Sequence, residues 1–229
     1  MSEQLNHTLT EPVSGLVYRL REGSRGAGKS PCLILLHGVG ATEQGLMELA
    51  RGIDPRFSVI LARGPLALGP MQFAWFRVSF TANGPAIDAP QAERARTTLL
   101  AFIGQLPQAH AIDPERIWIA GLSQGGIMSA SVALSAPQQL AGFGILSGRI
   151  LPEVLPLVTP GKPLAALHAF VSHGRQDQVL GLHFAHHARQ VLAGLNVRLQ
   201  YREYEAGHRL EPAMVADFEQ WLVARLADS

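Results

Sequence analysis

The segment that most constrains the fold is residues 32–36, where five consecutive residues are apolar. A strand with one solvated face alternates apolar and polar residues, whereas a strand buried on both faces does not. The run therefore predicts a central strand of a parallel sheet. Similar runs alternate with helical stretches along the chain, which favours one open, mostly parallel sheet with helices on both faces.

The length of the chain fits a single domain. Its 229 residues lie below the roughly 250–300 residues at which one core stops growing, and the 47% of apolar residues can fill a large core. No internal repeat or linker divides the sequence. We expect a polar N-terminal tail over residues 1–14 and one α/β domain over residues 15–229.

Three segments carry further predictions about local structure. Residues 62–89 contain three prolines and three glycines, which predict a long irregular loop. A helix is predicted over residues 90–106, ended by Pro107, and another from about residue 179 to 195.

Charge and cysteine content exclude several classes of protein. The formal net charge is +1, and without a basic stripe we expect no nucleic-acid partner. No apolar run approaches the roughly 18–20 residues of a membrane span. Cys32 is the single cysteine, so an intramolecular disulfide is ruled out. Together with the absence of an apolar signal core near the N-terminus, this favours the cytoplasm.

The pentapeptide Gly121-Leu122-Ser123-Gln124-Gly125 matches the pattern G-x-S-x-G. It lies between an apolar strand and a helical stretch, the context in which this pattern forms a nucleophile elbow. A serine on so sharp a turn needs neighbours without side chains, which the two glycines provide. The motif predicts a nucleophilic serine, and the alternative is a glycine-rich turn with an incidental serine.

The loop His37-Gly38-Val39-Gly40 directly follows the first buried strand. At this position an α/β fold with a nucleophile elbow donates one backbone N–H to the oxyanion, and the residue after the nucleophile donates a second. We therefore predict the main-chain N–H groups of Val39 and Gln124 as the oxyanion hole. The side chain of His37 is better explained as a structural hydrogen-bonding group.

A serine nucleophile needs a base and an acid, which follow it along the chain in the order acid, then histidine. Asp177 and His208 each come just after a predicted strand, in loops at the sheet edge where ligands bind. Glu203 and Glu205 are rival acids, but they lie too close in sequence to His208. The predicted triad is Ser123, His208 and Asp177.

Three further histidines, His183, His186 and His187, share one face of a predicted helix. Their spacing could bind a metal ion. No Asp, Glu or Cys stands at matching spacing within that helix, so a solvated or interface face explains them better. We predict no metal site.

Several segments in a fixed order link the chain to a known family. They are Leu35-Leu36-His37-Gly38-Val39-Gly40, Ala62-Arg63-Gly64-Pro65, Trp75-Phe76, Gly121-Leu122-Ser123-Gln124-Gly125-Gly126, His173-Gly174 with Asp177, and Gly207-His208. With them the chain resembles the phospholipase/carboxylesterase family of α/β-hydrolases, which includes bacterial carboxylesterases and acyl-protein thioesterases. The resemblance implies the α/β-hydrolase fold, and the short connections predict no large lid domain.

The resemblance also implies roles for individual residues. Ser123, Asp177 and His208 take the triad roles, and Val39 and Gln124 the oxyanion roles.

Four residues are the candidates for contact with the substrate: Trp75, Phe76, Leu122 and Val179. For Trp75 the alternative is a purely packing aromatic. Arg77 departs from the family, whose members often carry an acidic residue after the Trp–aromatic pair, and this leaves the polarity of the pocket open.

The resulting functional expectation is a serine hydrolase without a cofactor. It would cleave carboxylic esters, or thioesters, of small to medium acyl groups through an acyl-enzyme. Its partner would be a small-molecule substrate, and a homodimer through the apolar stretch 73–80 stays open. An acyltransferase, a peptidase and a non-catalytic binding protein of the same fold are the alternatives.

Overall fold

The computed structural model describes residues 4–24, 28–81 and 84–227. The strands are, in chain order, β1 (Leu9–Thr10), β2 (Val17–Arg21), β3 (Ser30–Leu36), β4 (Ser58–Ala62), β5 (Leu66–Gly69), β6 (Gln72–Ala74), β7 (Val78–Thr81), β8 (Gly84–Ile87), β9 (Ile112–Leu122), β10 (Gly142–Leu146), β11 (His168–Gly174) and β12 (Arg198–Tyr204). The α-helices are α1 (Met47–Gly52), α2 (Ala89–Ala109), α3 (Gln124–Ser135), α4 (Lys162–Ala166), α5 (His183–Gly194) and α6 (Pro212–Ala227).

Eight of these strands form one open sheet in the order β1-β2-β4-β3-β9-β10-β11-β12. Strand β2 pairs antiparallel with β1 and with β4, and every pairing from β4 to β12 is parallel. The carboxyl ends of the parallel strands therefore meet at one edge. The predicted open, mostly parallel sheet is confirmed.

Alternate residues of β3 point into two separate cores. Ile34 and Leu36 pack with buried side chains of α2, α3 and α5 on one face of the sheet. Leu33 and Leu35 pack with those of α1 and α6 on the other face. All four are fully buried, and each contributes about 1.5–3 kcal/mol through the hydrophobic effect. The helices cover both faces, as the continuous apolar run predicted.

The N-terminal segment differs from the expected tail. Strand β1 pairs with β2 at the edge of the sheet, and the side chain of Leu5 is buried. The guanidinium of Arg19 donates hydrogen bonds to the carbonyls of Leu5 and Asn6, each 2.8 Å long. From residue 4 onward the segment lies on the domain. Hydrogen bonds to its main-chain groups help to hold it there, and a pattern of side chains does not reveal such bonds. Residues 1–3 lie outside the described residues.

The stretch between β4 and α2 forms two antiparallel hairpins, β5–β6 and β7–β8. Its prolines and glycines suggested one long irregular loop. Pro70 and Met71 instead form the turn between β5 and β6, with Met71 at a φ of 55°. An isolated bridge between Ala41 and Phe73 attaches this hairpin to the loop after β3.

Two helices also differ from the sequence pattern. Helix α2 continues through Pro107 to Ala109, since a proline in the last turn removes only one hydrogen bond from a helix with a long buried stripe. Helix α5 begins at His183 rather than near residue 179. Among the described residues, no helix is both long enough and apolar enough to cross a bilayer.

A buried cluster of charges lies beside the edge formed by the carboxyl ends of β3 and β4. The carboxylate of Glu43 is fully buried, and it accepts hydrogen bonds from Arg19 at 2.9 Å and from two nitrogens of Arg63 at 2.7 Å. Burial alone would raise the pKa of Glu43, but the hydrogen bonds from Arg63 and Arg19 outweigh it and lower the pKa to about 2. The ionised carboxylate is therefore the favoured form in the folded state.

We predict that Glu43→Gln lowers the free energy of unfolding by about 3–5 kcal/mol at pH 7, because it leaves two guanidinium groups without their buried anion. Since the folded pKa lies below the ordinary 4.5, the contribution of Glu43 is present above pH 4.5 and is lost as the pH falls toward about 2. Urea unfolding of both proteins across this range measures the difference.

The control is Glu48→Gln, which removes an exposed carboxylate paired with Arg51 on α1. It is expected to change the free energy of unfolding by less than about 1 kcal/mol. Equal losses in the two variants, or a loss for Glu43→Gln that stays constant between pH 4.5 and 2, would contradict the assignment.

Candidate active site

Three side chains from separate loops form a hydrogen-bonded chain at the carboxyl edge of the sheet. Ser123 follows β9, Asp177 follows β11 and His208 follows β12. The Ser123 hydroxyl lies 2.8 Å from Nε2 of His208, and Nδ1 of His208 lies 2.6 Å from Oδ2 of Asp177. Parallel strands bring these loops together although the residues are far apart in sequence.

Ser123 stands on a sharp turn between β9 and α3. Its backbone has a φ of 55° and a ψ of −116°, a conformation that costs a residue with a side chain about 1–3 kcal/mol. A Cβ on Gly121 or Gly125 would collide with main-chain atoms, in the second case those of Leu36. The two glycines are needed because α3 packs this closely on the ends of β3 and β9.

Asp177 is held by its own loop. Its Oδ1 accepts the N–H groups of Val179 at 2.9 Å and Leu180 at 2.8 Å, which leaves Oδ2 for the imidazole of His208. The carboxylate is buried, with the residue 6% exposed. These bonds tie residues 177–180 into a loop, and this explains why α5 begins later than the sequence predicted.

His173 is a fourth polar residue of this cluster that the sequence pattern did not single out for a role. It is fully buried; its Nε2–H donates to the carbonyl of Leu180 at 2.6 Å and lies 3.3 Å from Oδ2 of Asp177. Burial lowers the pKa of His173, so the ring is neutral and braces the loop that carries the acid. The available signal was a histidine directly before the last residue of a strand with an apolar centre.

The two segments that carry the predicted oxyanion donors both adjoin Ser123. A Cβ on Gly38 would come within 3.4 Å of the Ser123 Cβ, so the loop after β3 passes directly beside the hydroxyl. Gln124 is the first residue of α3, and its N–H therefore has no acceptor within the helix. Val39 and Gln124 both line the cleft into which the Ser123 hydroxyl opens.

His37 has the structural role expected of it. Its Nδ1–H donates to the carbonyl of Gly38 at 2.7 Å, and its Nε2 accepts the N–H of Gly64 at 2.9 Å. These two bonds fix one neutral tautomer, and burial lowers the pKa of the ring below its usual value. The imidazole thus holds residues 37–40, the glycine loop, in place.

Trp75 does not line the cleft, so the prediction of substrate contact was wrong for this residue. The residue is 1% exposed, and its indole N–H donates to the carbonyl of His37 at 3.0 Å. The Gln124 side chain accepts the N–H of Trp75 and donates to the carbonyl of Phe76, both at 2.7 Å. Trp75 is the packing aromatic of the alternative interpretation, because Gln124 anchors its backbone behind the glycine loop.

The cleft above Ser123 has a volume of about 380 Å³ and a mostly apolar lining. The predicted Phe76, Leu122 and Val179 are among the residues that line it. Other residues of the lining were not predicted to contact the substrate: Ala41, Val78, Pro85, Ile87, Ile127, Arg149 and Leu180.

Arg77 lies outside this cleft. Its side chain is exposed, and its backbone N–H donates to the side chain of Gln91 at 2.8 Å. It lines a second groove, which shares Val39, Val78 and Ile87 with the cleft. The guanidinium of Arg77 is therefore not part of the lining around Ser123.

The three histidines of α5 have exposed side chains. His186 lies 3.0 Å from the carboxylate of Glu203, and the ring of His183 packs on Phe184. Within residues 4–24, 28–81 and 84–227, no cluster of three His, Cys, Asp or Glu side chains is placed to hold a metal ion.

Comparison with known proteins identifies relatives over nearly the whole chain. The family model described as Phospholipase/Carboxylesterase matches residues 24–225. Acyl-protein thioesterase 1 of Eremothecium gossypii is 26% identical over 225 residues, which cover 90% of this chain and 93% of that protein. Carboxylesterase SOBER1 of Arabidopsis thaliana is 28% identical over 166 residues, covering 70% and 72%.

Solved structures show the same architecture. The crystal structure of a carboxylesterase from Mesorhizobium loti superimposes with a TM-score of 0.78 at 25% identity, covering 94% of this chain and 98% of the other. The sheet described above is thus that of an α/β-hydrolase. On the family match, the chain belongs to the phospholipase/carboxylesterase family and is a hydrolase of the carboxylesterase type.

Proposed function

We propose that this protein cleaves carboxylic esters, or the corresponding thioesters, of small to medium acyl groups through a covalent acyl-enzyme. The observation that carries the proposal is the pair of hydrogen bonds from Ser123 to His208 at 2.8 Å and from His208 to Asp177 at 2.6 Å. A serine hydroxyl becomes an effective nucleophile when such a base takes its proton.

In the first step the Ser123 oxygen attacks the acyl carbon while Nε2 of His208 takes the hydroxyl proton. Asp177 fixes the tautomer with the proton on Nδ1 and stabilises the imidazolium that forms. The negative charge on the substrate oxygen is stabilised by the N–H groups of Val39 and Gln124. Collapse of this intermediate expels the alcohol or thiol, which takes its proton from His208.

In the second step water attacks the acyl-enzyme, with His208 as base, and the carboxylic acid leaves Ser123. Loss of one oxyanion donor typically costs about 2.7–4 kcal/mol of transition-state stabilisation. The positive end of α3 points at the same oxygen and adds to the effect. Each step uses groups of this chain and water.

The size and lining of the cleft support small to medium acyl groups. A volume of about 380 Å³ lies at the low end of the range for small-molecule sites. The names of the relatives, carboxylesterase and acyl-protein thioesterase, support both oxygen and sulfur leaving groups. A panel of 4-nitrophenyl esters of graded length, with matched acyl-thioesters, decides between them.

The setting that we propose is the cytoplasm, which a single buried thiol at Cys32 supports. Assembly into a homodimer stays a hypothesis that size-exclusion chromatography with light scattering tests.

We predict that Ser123→Ala lowers kcat for a 4-nitrophenyl ester by about a millionfold, since the triad acts as a unit. It also abolishes labelling by a fluorophosphonate, which reacts with activated serines. Ser131→Ala is the matched control, because that hydroxyl lies on the same helix and only donates to the carbonyl of Ile127. Residual turnover of Ser123→Ala within tenfold of wild type would overturn the assignment.

We predict that Asp177→Asn lowers kcat by about 10⁴-fold while the melting temperature changes little. The amide keeps the shape of the carboxylate but no longer selects the histidine tautomer that accepts the serine proton. Asp88→Asn serves as control, since Asp88 makes a similar bond to the N–H of Gln91 at the start of α2. If both variants lost activity to the same degree, Asp177 would have no special role.

A further inference from the structure

Arg149 brings a positive charge to the wall of the proposed active site. It lies three residues beyond the end of β10, the strand next to β9. A Cβ on the preceding Gly148 would stand 3.1 Å from the carbonyl oxygen of Ser123, so this segment packs against the nucleophile turn. Arg149 lines the cleft together with Ser123 and His208.

The guanidinium of Arg149 has few partners of its own. Nη2 donates one long hydrogen bond, 3.3 Å, to the carbonyl of Pro85, and the buried Nε has no partner. The group stacks on the ring of Phe184 at 4.9 Å. No carboxylate in the described part of the chain forms an ion pair with it.

This position is costly for a cation. Burial lowers the pKa of Arg149, and the charge of Glu153 offsets this only in part. A buried charge is stabilised when an opposite charge forms hydrogen bonds with it. The buried Arg19 has such a partner in Glu43, whereas the half-buried Arg149 faces the cleft.

We propose that the preferred substrate carries a carboxylate, which binds the guanidinium of Arg149 while the ester carbonyl lies at Ser123. This inference rests on the proposed function and names the substrate class for that site. The remaining lining is mostly apolar, with Ile127 and Val78 among it. The substrate is thus an ester or thioester in which a short hydrocarbon chain separates the reacting carbonyl from a free acid group.

The carboxylate could belong to the acyl group or to the leaving group, and two pairs of substrates distinguish these cases. The first pair is 4-nitrophenyl hydrogen adipate and its methyl-capped counterpart, 4-nitrophenyl methyl adipate. The second pair is 4-carboxyphenyl butyrate and its methyl ester. Within each pair the acid and the neutral compound differ only at the group proposed to meet Arg149.

For one of the two pairs, wild-type kcat/KM is expected to favour the acid, and Arg149→Met reduces the acid-to-neutral ratio by about 10- to 100-fold. This is the range expected when a hydrogen bond to a charged group is lost. Comparing ratios cancels differences in the intrinsic reactivity of the esters. Arg149→Lys keeps the charge without the planar fork and gives an intermediate ratio.

The matched control is Arg189→Met. Arg189 also stacks on an aromatic ring, that of Tyr201 at 5.4 Å, but it does not line the cleft. Its removal leaves both ratios unchanged. If Arg149 served only to hold the β7–β8 hairpin through Pro85, its loss would lower the activity on acid and neutral esters equally, and the proposal would be wrong.

A binding measurement separates this inference from the proposed function. In the Ser123→Ala background, calorimetry compares the affinity for the two adipate esters and the two butyrate esters with and without Arg149→Met. Tighter binding of an acid that depends on Arg149 supports the inference even if turnover is absent. Wild-type hydrolysis of the neutral esters without any preference for an acid, and equal affinities in calorimetry, would overturn it while leaving the hydrolase assignment intact.

Discussion

Between β9 and α3 the chain reverses direction at Ser123, whose φ of 55° is unfavourable for a residue with a side chain. The surrounding structure holds it there: the N–H of Ser123 donates to Leu146 at 2.8 Å, and its carbonyl accepts the N–H of Ile127 at 3.0 Å. This strained turn places the hydroxyl 2.8 Å from Nε2 of His208. Gln124 is the first residue of α3, so its N–H has no acceptor within the helix. The positions of the Ser123 hydroxyl and of the Gln124 N–H thus depend on a single backbone conformation.

The opposite wall of the cleft depends on a buried charge cluster. Glu43 binds Arg63, whose guanidinium stacks on the ring of Phe73 at 4.8 Å. The carbonyl of Phe73 in turn accepts the N–H of Gly40 at 2.8 Å. Through these contacts the ion cluster, the β5–β6 hairpin and the glycine loop form one connected unit. The loop that contains Val39 is therefore held by charged groups that do not line the cleft.

Features of the fold with a local cause were predictable. The apolar run of β3 showed a strand buried on both faces, and the order of strands and helices showed the parallel sheet. Pairings between main-chain groups were not predictable, because they leave little trace in the pattern of side chains. For this reason β1 was predicted as part of a polar tail and the two hairpins as an irregular loop. The prediction that helix α2 ends at Pro107 was wrong for a different reason, because tertiary packing extends the helix.

The sequence by itself determined the identity of the triad candidates, since each of Ser123, Asp177 and His208 follows a strand whose carboxyl end must lie at the same edge. It also determined the role of Gly121 and Gly125, because a sharp turn beside a closely packed helix leaves no space for a Cβ at these positions. Only the tertiary structure decided which side chains line the cleft. It turned Trp75 away behind the glycine loop and brought Arg149 to the wall of the cleft, because the direction of a side chain depends on neighbours distant along the chain.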